Sequence, residues 1–383
     1  MADIYTLYGS YASYYTAKVR SYLRKKGIPF VERLPSDPDF RNVVRPASGS
    51  HRIPQLRTPE GEVIQDSVAI VDALEARFTE LPAFPSTPRQ RSFVHLMELL
   101  GGEGLCRLAW LHRWLFAENE HFVKMDFGRS FRPQGSDEEL LKYGELIAGR
   151  MRSYGLPEST PAARAALDER YKELLALFER HLVEHPYFLG GHPSAADYAV
   201  MGAMHAHLGR DPAGLRVMQD NAPRTFRWVE HMLMPEVQAP EFFDRPVEYL
   251  ADDRVPVTAL AIVEFIARRY GQQYVLGGVA FNQAMQRIKA GPGYELAPDE
   301  DQPMLAKERV TLTTKEQESE HQHAANLYAV WLAQRSQRHF QALSANDQQK
   351  VTSLFQDETV QALLGVPVSY PLERVHNRLL IAS

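Results

Sequence analysis

Pro82, Pro85 and Pro88 mark the place where the chain changes character. Proline fixes φ and removes a backbone donor, so three at this spacing punctuate a linker. Before them, β-forming runs alternate with amphipathic helical runs. After them, strand signals essentially vanish until the far end. Such a chain folds as a small α/β domain followed by an all-helical one. Its 383 residues exceed one ordinary core, and the expected boundaries are 1–80, 89–240 and 241–383.

In the first part, Ile4 to Tyr8 is a short strand ending at Gly9. A helix is expected from Tyr14 to Lys26, with Tyr15, Val19, Tyr22 and Leu23 on one face and Lys18, Arg20 and Lys25 on others. Gly27 stops it, and Pro29 leads into the strand Phe30 to Leu34. Two more strands, Gln55 to Thr58 and Glu62 to Gln65, flank the turn Pro59-Glu60-Gly61. Ser67 then caps a helix whose inner face is Val71, Leu74 and Phe78. The order β-α-β, then β-β-α, gives a parallel pair through the crossover helix and antiparallel strands from the hairpin.

Beyond the prolines, Arg164 to Val183 is amphipathic, with Leu167, Tyr171, Leu174, Leu175, Phe178 and Leu182 along one stripe. Ser194 to Leu208 reads as another helix. Val257 to Tyr270 is apolar nearly all round and therefore buried. A second linker, Gly291 to Pro303, holds the acidic cluster Asp299, Glu300 and Asp301. Helical spacing resumes at Ala324, Leu327, Tyr328, Trp331 and Leu332.

The formal net charge of -5 lies along the chain without long single-sign runs, which points to neither nucleic acid nor an acidic membrane as partner. The most apolar stretch, Val255 to Ala267, is interrupted by Thr258 and Glu264 and is too short to span a bilayer. The N-terminal run lacks the layout of a signal peptide. The single cysteine, Cys106, forms no internal disulfide and is expected to be a small buried hydrophobe. A cytoplasmic location is the expectation.

Three segments in chain order resemble the glutathione S-transferase superfamily. Tyr8-Gly9-Ser10-Tyr11-Ala12-Ser13-Tyr14-Tyr15-Thr16-Ala17-Lys18-Val19-Arg20, followed by Lys26-Gly27-Ile28-Pro29-Phe30, is similar to its first strand, active-site loop and first helix. Arg52-Ile53-Pro54-Gln55-Leu56 and Gln65-Asp66-Ser67-Val68-Ala69-Ile70 resemble its cis-proline turn and the helix start that follows. Phe188 to Asp197 looks like the capping box opening the core helix of its second domain. The resemblance covers roughly residues 3 to 235. It implies a thioredoxin-like α/β N-terminal domain and an all-α transferase-type domain, with a further mainly helical extension that is longer than the family's usual C-terminus.

Function follows as an expectation from that resemblance. Glutathione would be the co-substrate, and its thiol would be activated for attack on a small hydrophobic electrophile. The Ile53 backbone at the Pro54 turn would pair with the cysteinyl main chain, and the bond before Pro54 would be cis. Asp66 and Ser67 would meet the γ-glutamyl end, while His51 and Arg52 would meet the glycyl carboxylate. A thiol titrates near ~8.5, and moving it two units down takes about 2.7 kcal/mol of thiolate stabilisation. One hydroxyl donor at a helix start suffices. Matching the loop to serine-type members gives that role to Ser13. However, many relatives have proline next, where this chain has Tyr14, so Tyr11, Tyr14 and Tyr15 remain alternatives.

No cysteine occupies the loop, which argues against disulfide or dehydroascorbate reduction. Trp110, His112, Trp114 and Phe116 are candidates to line the second-substrate pocket, and equally candidates for core. A non-catalytic glutathione-binding scaffold, or ether cleavage or isomerisation with the same thiolate, are the alternative activities. Homodimers are usual in the family.

Two further signals are discounted. Glu318, Glu320, His321 and His323 suggest a metal cluster, but helical i, i+2 spacing would put the histidines on different faces, so no metal is expected. Gly101-Gly102-x-Gly104 follows no strand and fails the context of a dinucleotide loop. A helix break or close helix contact is expected there instead.

Overall fold

The computed structural model describes residues 4–153, 156–296, 309–314, 317–324 and 326–383, with the backbone alone for 309–324. The first elements are β1 (Tyr5–Tyr8), α1 (Tyr14–Lys25), β2 (Phe30–Arg33), α2 (Arg45–Ser48), β3 (Gln55–Arg57), β4 (Val63–Gln65) and α3 (Ser67–Glu75). Helices follow: α4 (Pro88–Leu99), α5 (Leu105–Leu115), α6 (Glu120–Phe131), α7 (Asp137–Arg152), α8 (Pro161–His181), α9 (Ala195–Met201), α10 (Pro212–Asn221) and α11 (Pro223–Met232). The last part holds α12 (Val257–Tyr270), α13 (Gln272–Ile288), β5 (Glu295–Leu296), β6 (Arg309–Thr314), β7 (Gln317–Ala324), α14 (Leu327–Ala342), α15 (Ala345–Leu354), α16 (Glu358–Gly365), β8 (Leu372–Val375) and β9 (Arg378–Ile381). Two compact units result, one of residues 1–83 with 106–249 and one of 84–105 with 250–383.

In the first unit the strand order is β2-β1-β3-β4. β1 and β2 run parallel, with Tyr5 opposite Phe30, while β1/β3 and β3/β4 are antiparallel. This is the thioredoxin-like sheet the sequence implied. The β3–β4 turn closes with Thr58 N–H on Glu62 O at 2.8 Å, and Gly61 supplies the positive φ of 94° it requires.

The faces of α1 differ from the expectation. Lys18, Arg20 and Lys25 are buried along with Val19, Tyr22 and Leu23, because α9 and the turn that follows it pack on the helix as well as α3. Arg20 is held bidentately by Glu32, at 2.5 and 2.7 Å. Ser21 Oγ, Arg24 Nη1 and Lys25 Nζ donate to the carbonyls of Met232, Leu233 and Glu236. Those carbonyls lie at and beyond the C-terminal end of α11, where cationic donors are favoured. Burial pulls the Lys25 ammonium down to about 7.

The capping box at α9 is present as read. The Asp197 carboxylate accepts from Ser194 N at 2.8 Å and Ser194 Oγ at 2.9 Å, and also from Phe188 N at 3.0 Å. Complete burial lifts its pKa to about 6 in spite of these donors. Ser194 to Leu208 is not one α-helix: after Met201 the chain widens into a π-helical turn, Gly202–His207. Gly202 lies against the Tyr14 ring, where a Cβ would come within 2.4 Å, so side-chain packing sets the break.

In the second unit α4 packs with α14 and α15. Its first free amides, Arg89 and Gln90, are capped by Asp253 at 2.8 and 2.9 Å. Glu98 is buried with Arg335, Nη2 to Oε1 3.2 Å, and with His95, Nδ1 to Oε2 2.7 Å. A π-helical turn at Leu100–Gly104 ends α4, and a Cβ on Gly104 would meet Ile266 at 3.0 Å. The glycine run is thus a helix break with a close contact.

The extension also carries β structure. β5, β9 and β8 form a small antiparallel sheet, and β6 pairs with β7. Glu318, Glu320, His321 and His323 therefore sit on a strand, not a helix, and Ala324 ends that strand. The acidic cluster at 299–301 lies outside the described residues.

Candidate active site

The loop between β1 and α1 is closed by Gly9, where a Cβ would fall 2.2 Å from Thr16 Cγ2. Ser13 is the N-cap of α1, and its Oγ accepts from Thr16 N at 3.3 Å. A hydroxyl has one proton and two lone pairs, so this cap leaves its O–H free to donate to a thiolate. Cap and catalytic donor are compatible roles on one side chain.

The tyrosines go elsewhere. Tyr14 is buried, packed on Gly202 and edge-on to His207 at 5.3 Å. Tyr15 meets Tyr14 edge-on at 5.3 Å, with Lys18 Nζ 5.8 Å from its ring centroid. Tyr11 is 43% exposed, with the Arg20 guanidinium 4.0 Å from its ring centroid and His205 edge-on at 6.4 Å. Burial and the charges of Arg20 and Arg210 hold His205 down at about 3, so the imidazole is neutral.

At the same end of the sheet, where Tyr8 of β1 pairs with Gln55 of β3, the Ile53–Pro54 bond is cis. The Ile53 N–H and C=O have no hydrogen-bond partner among the described residues. Pro54 O accepts from Asp66 N at 3.3 Å, which joins this turn to the start of α3. Asp66, rather than Ser67, is the N-cap: its carboxylate accepts from Val68 N at 2.9 Å and Ala69 N at 3.4 Å. Its φ of 90° is a strained conformation for a non-glycine residue. Ser67 becomes the first helical residue, 1% exposed, and its Oγ has no partner among the described residues. Its amide heads the helix unbonded among the described residues.

His51 and Arg52 are exposed. His51 shares with Arg41, Arg45, Pro46, Gly49 and Ser50 an open groove of about 530 Å³. The two groove arginines were not among the residues singled out from the sequence.

The aromatics on and just after α5 divide. His112 and Phe116 are core: their rings stack at 4.2 Å, and His112 Nε2 lies 3.0 Å from Asp168. Trp110 and Trp114 are half-buried, with Arg107 over the former and Phe127 stacked on the latter. Cys106, expected to be buried, is only partly so. Sequence reasoning missed Arg113, which reads as a solvent-facing charge between His112 and Trp114. In the structure it is 3% exposed and donates from Nη1 to Ala12 O, one residue before Ser13, at 2.9 Å. Its partners lie nearly a hundred residues away in sequence, so no local pattern announces it.

Among the described residues, no group of three or more His, Cys, Asp or Glu side chains is placed to hold a metal ion, and no helix is long and apolar enough to cross a membrane.

Residues 7–82 match the family model for the glutathione S-transferase N-terminal domain, and residues 161–231 match the C-terminal domain model. No curated protein matches the chain. Among solved structures, the chain is similar to a glutathione S-transferase from Methylobacterium radiotolerans in complex with glutathione sulfonate. That likeness has 21% identity and a TM-score of 0.36, covering 66% of this chain and 100% of that one. It is also similar to a glutathione S-transferase from Rhodospirillum rubrum (19% identity, TM-score 0.36, 67% and 97% covered). A beta-etherase from Sphingobium sp. aligns at 22% identity and a TM-score of 0.41, covering 61% and 95%. The chain thus matches both domain models of the glutathione S-transferase family, in family order, on this sheet and these helices.

Proposed function

We propose that the chain binds glutathione between the Pro54 turn and the start of α3, ionises its thiol at Ser13 and transfers it to an apolar electrophile. The observation that carries this reading is Ser67: a buried hydroxyl and a helix-start amide, both without partners, beside the unpaired Ile53 backbone. Those groups suit the γ-glutamyl carboxylate and an extended cysteinyl main chain respectively. His51 and Arg52 supply positive charge for the glycyl end. Ser13, with its proton still free, supplies the donor that stabilises the thiolate. Trp110 and Trp114 are the α5 aromatics left to meet the electrophile, because His112 and Phe116 are committed to the core.

The partly exposed single cysteine fits a reducing, cytoplasmic setting. Light scattering on the purified protein tests the family's usual homodimer.

Calorimetry with glutathione, followed by turnover on a panel of electrophiles, tests the reading. Saturable binding with conjugation supports it. Binding without turnover on any electrophile would make the chain a glutathione-binding scaffold, and absence of binding at millimolar glutathione overturns both.

A further inference from the structure

We infer that Arg113 is the positioning residue of the thiol-activating loop, fixing through Ala12 where the Ser13 hydroxyl points. This rests on the role proposed for Ser13. Arg113 projects from α5 and spends its whole fork on three separate segments. Nε and Nη2 donate to the two carboxylate oxygens of Asp211, at 2.7 and 2.8 Å. Nη2 also donates to Ala206 O at 2.7 Å, within the π-helical turn, and Nη1 reaches Ala12 O at 2.9 Å. The Phe127 ring lies 5.6 Å from the guanidinium carbon. Asp211 is 1% exposed, so the ion pair is taken out of water together with its hydrogen bonds.

Stability is a poor reason for this arrangement. Desolvating a buried pair offsets most of its attraction, and well-packed apolar replacements commonly do as well. What the pair gives is geometry. The planar guanidinium, anchored on Asp211, presents Nη1 in a fixed direction, and the Ala12 carbonyl it binds belongs to the peptide bond that leads into Ser13. That peptide's orientation sets the backbone at the N-cap and, with it, the direction of the free O–H. A donor displaced by about 1 Å loses much of its preference for the thiolate.

Arg113→Lys separates positioning from bulk stability. One ammonium keeps a charge beside Asp211 but cannot span from Asp211 to Ala12 O. The variant should melt near the wild type and bind glutathione within about twofold, since none of the groups proposed to hold the peptide touches Arg113. Its kcat should fall about tenfold at constant KM for the electrophile. The thiol pKa of the bound glutathione, read from thiolate absorbance against pH, should rise by about one unit. Arg113→Ala should move the same readings further, at a lower melting temperature. A folded Lys variant with wild-type kcat and wild-type bound-thiol pKa overturns the proposal. So does parallel loss of glutathione affinity and melting temperature with the bound-thiol pKa unmoved. A wild-type protein whose bound glutathione titrates like free thiol fails the Ser13 assignment itself, a result read before any Arg113 variant is made.

Discussion

At Ser67 a hydroxyl is buried with nothing to bond, beside an Asp66 backbone held at a φ of 90°. An unsatisfied buried donor costs on the order of 1–3 kcal/mol, and a hydrogen bond to a charged group contributes ~1.5–3 kcal/mol. Ser67→Ala should therefore lower glutathione affinity by about tenfold while leaving the ligand-free melting temperature unchanged or slightly higher. Calorimetry and thermal melts on the same preparation check both. A variant less stable but equally tight would mean the hydroxyl serves the fold. Ser13→Ala removes a cap and a donor together. It should cost ~1 kcal/mol in stability and lower kcat by at least an order of magnitude, with glutathione still bound. Unchanged turnover would return the donor role to a tyrosine, with exposed Tyr11 next in line.

Both serines could be singled out as candidates because they flank recognisable helix starts. That Asp66 rather than Ser67 would cap α3 was not legible, since Asp and Ser are near-equal caps and only the backbone decides.

Among elements, the helices whose apolar stripe faces one core were read closely. α8 begins at Pro161 behind its Thr160 cap, three residues before the periodicity announced it. α1 was misread on its charged faces, because period alone shows where apolar residues lie and not that a second layer covers the rest. The cost of that second layer appears in buried histidines. Burial holds His181 and His205 at about 3 and His231 at about 4, and it pushes His207 well below the usual imidazole value. Each is neutral when folded and protonates near ~6.5 when unfolded, so the unfolded chain binds more protons below that pH. The stability they preserve is fully present above ~6.5 and is lost as pH falls toward 4 and then 3. Each contributes up to about 1.4 kcal/mol per pH unit within its window. Urea unfolding at pH 7 and pH 5 should show a clear fall in unfolding free energy, larger in the wild type than in His205→Gln. A flat profile across that interval would contradict these burial assignments.

For the whole molecule, the sequence reads a linker at Pro82–Pro88 and residues 241–383 as a mainly helical extension appended to the helical domain. The structure instead gives residues 84–105 to the same unit as 250–383. Nothing local in α4 discloses that, since an apolar stripe does not name the helix that will cover it. Two predictions follow from the placement of α4. Deleting residues 250–383 should leave Phe93, Val94, Leu96 and Met97 without their partners, and solubility measurements should find an aggregating chain. A well-folded truncated protein would restore the appendage reading. Within the unit, burial pushes the Glu98 carboxyl up, but the Arg335 charge and the His95 hydrogen bond outweigh it and hold it below the usual carboxylate range. Arg335→Ala should thus cost ~3–5 kcal/mol, and Glu98→Gln combined with Arg335→Met should recover much of that in a double-mutant cycle.

The central claim concerns one proton on one sulfur. It is tested most directly by titrating the thiolate absorbance of glutathione bound to the wild-type protein and to Ser13→Ala. The account predicts a thiol pKa about two units below the free value of ~8.5 in the wild type, returning most of the way in the variant with binding retained. A bound thiol that titrates at the free value in the wild type would contradict it.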